Sequence, residues 1–159
     1  IHRHSGGQGP RDFKDRAGSH LTGDADFEQV KQAYEKLSVR SYVTPFYQEM
    51  YQLYKVSDLA ITRAGATTLS ELAYFGVPAI LIPYPYAGAH QSENAKVFEK
   101  EGAAMILEQS QATPETMIRW FDLLFSSSSQ LEEMKQAVKR LAIPDTEERF
   151  QQFIEEEVR

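Results

Sequence analysis

The chain has 159 residues, 42% of them apolar and 25% charged, with a formal net charge of −6 and no cysteine. That is enough chain to bury the core of one domain. The composition excludes disulfides and thiolate metal sites and argues against general nucleic-acid binding, and no run approaches the roughly 18 apolar residues of a membrane helix.

The opening Ile1-His2-Arg3-His4 has neither an initiator methionine nor the apolar stretch of a signal peptide, so a fragment or processed product is expected. Residues 5–26 hold Gly6, Gly7, Gly9, Pro10, Gly18 and Gly23 with few apolar residues and read as a loop or insertion. Phe27, Val30, Ala33, Tyr34 and Leu37 recur at helical spacing, and Val39 to Val43 reads as a short strand. Thr44-Pro45 reads as an N-cap with proline at the first position of a helix that turns Met50, Leu53 and Tyr54 to one side. Leu59-Ala60-Ile61 is a buried strand, and a helix spans about Thr68–Phe75 until Gly76 and Pro78 stop it. The continuous apolar run Ala79-Ile80-Leu81-Ile82 suits a parallel sheet covered on both faces. After Pro83, Pro85 and Gly88 a helix starts near His90 and ends before Gly102, followed by the strand Ala104–Leu107.

The last third reads as helical. Thr113-Pro114 caps a helix with Met117, Trp120, Phe121, Leu124 and Phe125 on one face, which is read as core. Ser129-x-x-Glu132 and Asp145-x-x-Glu148 resemble capping boxes ahead of the stripes Leu131, Met134, Val138, Leu141 and Phe150, Phe153, Ile154. The alternation predicts an α/β class: a Rossmann-like doubly wound parallel sheet with a helical C-terminal third and ligands at the carboxyl ends of its strands.

Residues 1–66 carry 9 basic and 8 acidic side chains (+1), and residues 67–159 carry 8 and 15 (−7). An anionic ligand must therefore be held by local dipoles and a few residues. The turn Arg63-Ala64-Gly65-Ala66-Thr67-Thr68 offers such a place, where small residues let a phosphate approach the free N–H groups of a helix N-terminus. Glu71, one turn in, can accept both hydroxyls of a ribose. Thr68-x-x-Glu71 is equally a capping box, so on the residues alone Glu71 has two readings of equal weight. The pattern is neither a Walker loop nor G-x-G-x-x-G. Gln91 and Asn94 open the helix after the strand 79–82, placed to read sugar hydroxyls or to cap and tie the loop. Tyr84 and Tyr86 either line that pocket or brace Pro85. His2, His4, His20 and His90 complete no recognised metal spacing, so no metal or cofactor is expected.

Arg63 to Ala73, then Gly76-Val77-Pro78-Ala79, Pro83, Gln91-x-x-Asn94-Ala95, Gly102-Ala103-Ala104 and Ala142-Ile143-Pro144-Asp145 together resemble the MurG family, over about residues 38–158. Its members are UDP-N-acetylglucosamine (UDP-GlcNAc):lipid I N-acetylglucosaminyltransferases of peptidoglycan synthesis with the two-domain GT-B architecture. The resemblance implies that residues 1–159 are a single, N-terminally incomplete, donor-binding C-terminal domain. The acceptor domain, the first strand with its Gly-Gly-Ser loop and the catalytic base would all lie outside it, and Ile1–Gly6 would match the second strand of the family's domain.

The donor site implied is Ala66, Thr67 and Thr68 at the phosphates, Glu71 on the ribose and Gln91 on the sugar. His90 stands where a second glutamine is frequent, and Tyr47 or Phe46 lies beside the uracil. Lipid I would be met through the missing domain on the cytoplasmic face of the membrane, with no membrane span. The alternatives are a non-catalytic module completing a partner's site, or another UDP-sugar transferase or epimerase.

Overall fold

A computed structural model describes residues 2–3, 17–37, 40–85, 89–126 and 128–142. In chain order they form β1 (His2–Arg3), β2 (Ala17–Leu21), α1 (Gly23–Leu37), β3 (Arg40–Thr44), α2 (Met50–Lys55), β4 (Ala60–Thr62), α3 (Ala66–Phe75), β5 (Ala79–Leu81), α4 (Ala89–Lys100), β6 (Ala104–Ile106), a tight turn at Gln109–Gln111, α5 (Pro114–Ser126) and α6 (Ser128–Arg140). The strands make two three-stranded sheets, β1-β2-β3 and β4-β5-β6, parallel except for β1.

The second sheet follows from the alternation of side chains along a strand. In register, Ala60, Ala79 and Ala104 lie side by side, as do Ile61, Ile80 and Met105. The alanines and Leu81 face α3 and α4, where they meet Leu69, Leu72, Ala73, Ala95 and Phe98. Small residues there let the helices lie close to the sheet. Leu59, Ile80 and Leu107 face the other way, against Phe121 and Leu124 of α5 and Leu131 and Met134 of α6. Helix α6 serves both layers, since its Ala137 and Val138 join the first cluster. Both faces of β5 are thus covered, which is why its sequence is apolar without alternation.

Two connections in this sheet use the same device. Helix α3 ends on Gly76 at φ +69, and Val77 N–H returns to Leu72 O at 2.9 Å. Helix α4 ends on Gly102 at φ +75, and Ala103 N–H returns to Phe98 O at 2.8 Å. Each is a left-handed glycine cap that satisfies the last carbonyls and aims the chain into the next strand.

The first sheet corrects three expectations. The stretch read as a loop over 5–26 contains β2 and the start of α1. The strand that feeds α1 and pairs in parallel with β3 is Ala17–Leu21, whereas His2–Arg3, the described part of Ile1–Gly6, runs antiparallel to β2. Thr44-Pro45 caps no helix. Thr44 ends β3 and donates its hydroxyl to Phe46 O at 2.8 Å, and α2 begins only at Met50. The Gly6–Gly9 segment and the helix expected from Asp145 lie outside the described residues. Thr113 does cap α5, accepting from Thr116 N–H at 3.2 Å, while Ser129 falls inside the first turn of α6.

Among the described residues no strand pairs with the outer edge of β4, and Ile61 there is 37% exposed beside the fully buried Ile80. That edge faces Ser19, His20 and Leu21 of β2 across a cavity of about 260 Å³.

Candidate functional site

The turn from β4 into α3 is built around Gly65. It is the N-cap of α3, with φ −70° and ψ 139°, and brings no side chain to the first turn. The helical ladder starts with Leu69 N–H on Gly65 O at 3.0 Å. The N–H groups of Ala66, Thr67 and Thr68 therefore precede any intrahelical acceptor. A Cβ on Gly65 would have only Thr68 Oγ1 nearby, at 4.0 Å, and its φ is one any residue adopts. Neither strain nor packing calls for glycine. Its effect is to leave open space above a helix N-terminus, the geometry and partial charge an anion uses.

Ala66 and Thr67 are exposed and Thr68 is half-buried, lining the cavity opposite β2. Glu71 is half-buried in the second turn. It is the sixth residue of α3, too far along to close a capping box on a helix that has no side-chain cap. Its Oε2 accepts a 2.8 Å hydrogen bond from the hydroxyl of Tyr54 on α2. This settles the capping alternative against capping. Burial, and then the Glu71 carboxylate beside it, push the Tyr54 hydroxyl well above its ordinary value, so it is a permanent donor. Glu71 also borders a groove of about 640 Å³ with Ala66, Ser70, Asn94 and Phe98.

Arg63 is not a loose surface charge. Its Nη1 donates to Ile82 O at 2.9 Å and to Gln109 Oε1 at 2.8 Å, and its guanidinium lies 5.4 Å from the centre of the Tyr84 ring. One side chain thereby joins the loops that follow β4, β5 and β6. Asn94 Nδ2 donates to Ala64 O at 3.3 Å, so it ties α4 to the same turn. Gln91, in the first turn of α4, accepts from Tyr84 N–H on Oε1 at 2.9 Å, which leaves its amide NH₂ as the donor for another partner. His90 beside it is exposed. Tyr86 lies outside the described residues.

Phe46 and Tyr47 follow β3. Phe46 is 75% exposed, and Tyr47 donates to Gln52 Oε1 at 2.7 Å with its ring edge-on to Tyr42. Asn94 is thus hydrogen-bonded to the Arg63–Glu71 turn, and Gln91 is linked to it through Tyr84, over whose ring Arg63 lies, while Phe46 and Tyr47 make local contacts. Tyr54 and Gln109 were not singled out by sequence. The available signal was the hydroxyl of Tyr54 on an otherwise apolar stripe. Gln109 had none, because its contact spans 46 positions. Among the described residues no three His, Asp or Glu side chains gather as a metal site would need, and no helix is long and apolar enough to cross a membrane.

A parallel α/β sheet whose loops and helix N-termini gather at the carboxyl ends of its strands places the chain in the doubly wound α/β class. Residues 14–150 match the glycosyltransferase family 28 C-terminal domain, and the chain belongs to that family. Its relatives within it are MurG transferases. The chain is 42% identical over 141 residues to the UDP-N-acetylglucosamine–N-acetylmuramyl-(pentapeptide) pyrophosphoryl-undecaprenol N-acetylglucosamine transferase of Nostoc punctiforme, covering 87% of this chain and 38% of that protein. It is 37% identical over 131 residues to the Coxiella burnetii protein of the same name, covering 82% of this chain and 37% of the relative. The crystal structure of Acinetobacter baumannii MurG superposes with a TM-score of 0.77 at 33% identity, over 88% of this chain and 43% of that one. The glycosyltransferase VinC, solved in complex with dTDP, shares the fold at 17% identity and a TM-score of 0.54. The chain thus spans well under half the length of the curated relatives it matches.

Proposed function

We propose that this chain is the donor-binding part of a UDP-GlcNAc-dependent glycosyltransferase that converts lipid I to lipid II. The observation that carries the reading is the α3 turn: open space over Gly65, free N–H groups behind it, and a half-buried carboxylate one turn on, in a domain whose relatives at 37–42% identity are named for this transfer. The diphosphate lies against the N-terminus of α3 by Ala66, Thr67 and Thr68. Glu71 accepts the ribose hydroxyls, and Gln91, with His90 beside it, meets the sugar. Phe46 and Tyr47 border the uracil.

In the transfer, the acceptor hydroxyl of lipid-linked N-acetylmuramic acid attacks the anomeric carbon. The C–O bond to the diphosphate breaks with inversion, and UDP leaves. Charge developing on the leaving diphosphate is met by the N–H groups and dipole of α3, already in place. The chain supplies orientation and leaving-group stabilisation. The base and the acceptor pocket come from the rest of the enzyme, at the cytoplasmic face of the membrane.

Calorimetric titration tests this. UDP-GlcNAc binds the chain weakly, Glu71→Gln weakens it about ten-fold by removing a charged acceptor, and the chain alone transfers no sugar to lipid I. Equal binding by Glu71→Gln removes Glu71 from the site, and transfer by the chain alone overturns the division of labour.

A further inference from the structure

Tyr54 is 5% exposed, and its ring stacks on Phe75 with centroids 5.5 Å apart and planes 24° from parallel. Its hydroxyl reaches out of that core to Glu71 Oε2 at 2.8 Å. The ring is held by packing, so the hydroxyl is a fixed point, and it has a single proton, directed at the carboxylate. Glu71 by itself is a side chain with three rotatable bonds on a helix surface. With one oxygen pinned, the plane and reach of its carboxylate are set. A pinned carboxylate keeps free the lone pairs of its other oxygen and one on Oε2, the arrangement two adjacent hydroxyls of a ribose require.

Resting on the reading of Glu71 as the ribose acceptor, we propose that Tyr54 is a positioning residue that holds the Glu71 carboxylate for a vicinal diol and so makes the site selective for ribonucleotides over 2′-deoxyribonucleotides. Tyr54 does not touch the nucleotide. It removes in advance the freedom Glu71 would otherwise lose on binding, and that saving is realised in full only by a ligand offering both hydroxyls. A merely structural hydroxyl would affect every ligand alike.

The test measures affinities of UDP and 2′-deoxy-UDP for the wild-type chain, Tyr54→Phe, Glu71→Gln and the double variant, with melting temperatures alongside. The wild type prefers UDP. Tyr54→Phe weakens UDP by roughly three- to ten-fold, leaves 2′-deoxy-UDP nearly unchanged, and has no further effect once Glu71 is Gln. If Tyr54→Phe weakens both ligands equally, or neither, Tyr54 is structural only and the proposal falls while Glu71 keeps its role. If the wild type does not distinguish the two ligands, the ribose reading of Glu71 fails, and this proposal with it.

Discussion

At Gly65 the missing side chain matters more than any backbone freedom. Because a Cβ there has room within the protein, at 4.0 Å from its nearest neighbour, Gly65→Ala leaves the fold intact. The added methyl then stands where a phosphate would approach the N–H groups of α3. We expect the melting temperature to move by no more than a degree or two, while UDP affinity falls by roughly three- to ten-fold. Calorimetry beside a melting curve checks both.

His20 on β2, edge-on to Tyr34, gives a pH signature. Burial, above all, holds its imidazole below the ordinary value of 6.5. The unfolded chain therefore binds that proton more readily than the folded one. The stability concerned is present above about pH 6.5 and is lost as pH falls below it. Melting temperatures taken between pH 7 and pH 5 decline, and His20→Gln makes the decline shallower. Of these residue-scale features, the sequence shows Gly65 and Glu71 by their place at a strand-to-helix turn. It leaves Glu71 between two roles because T-x-x-E is one pattern with two geometries. The frame of α3 removes the capping role, since Gly65 is its N-cap and Glu71 lies a turn too far along, and the carboxylate accepts instead from Tyr54, 17 residues back and one helix away.

Among the elements, the ends of α3 and α4 are the most legible. A glycine followed by a short apolar run reads as a helix stop and a strand start, and the structure has both, at Gly76 and Gly102. Replacing either by alanine forces a left-handed residue with a Cβ, which costs about 1–2 kcal/mol. A chemical-denaturation midpoint measures it. Gly76→Ala is the more costly, because its Cβ would also displace the Lys139 side chain, 2.9 Å away, whereas at Gly102 the nearest atom is 3.9 Å off. β2 was the least legible element. Ala17-Gly18-Ser19-His20-Leu21 has no β-branched residue and only modest burial, so nothing in its composition separates it from the Gly-rich sequence before it. It is a strand because β3 pairs with it along its whole length, a tertiary cause no local pattern carries.

Among the described residues the buried core lies on the second sheet and its two apolar layers, and the proposed donor site lies on the loops at one end of it. Leu72 is fully buried in the layer beneath α3. Leu72→Ala costs about 2–5 kcal/mol, a large share of what a domain this size has, and should lower expression and melting together. The doubly wound class was readable from the alternation of apolar strands and striped helices. The interruption between the two sheets was not, because the sequence pattern specifies elements and faces but not which edges meet. Arg63 links these scales, since one guanidinium holds three carboxyl-end loops together behind the turn where the donor is proposed to sit.

We propose that the Arg63–Glu71 turn holds a nucleotide sugar. Amide NMR of the ¹⁵N-labelled chain during titration with UDP-GlcNAc tests it most directly. Saturable shifts are expected of the Gly65, Ala66, Thr67, Thr68 and Glu71 amides, joined by Gln91 when the sugar is present and lacking it with UDP alone. A folded spectrum in which these amides stay still, while others move or none do, would contradict it.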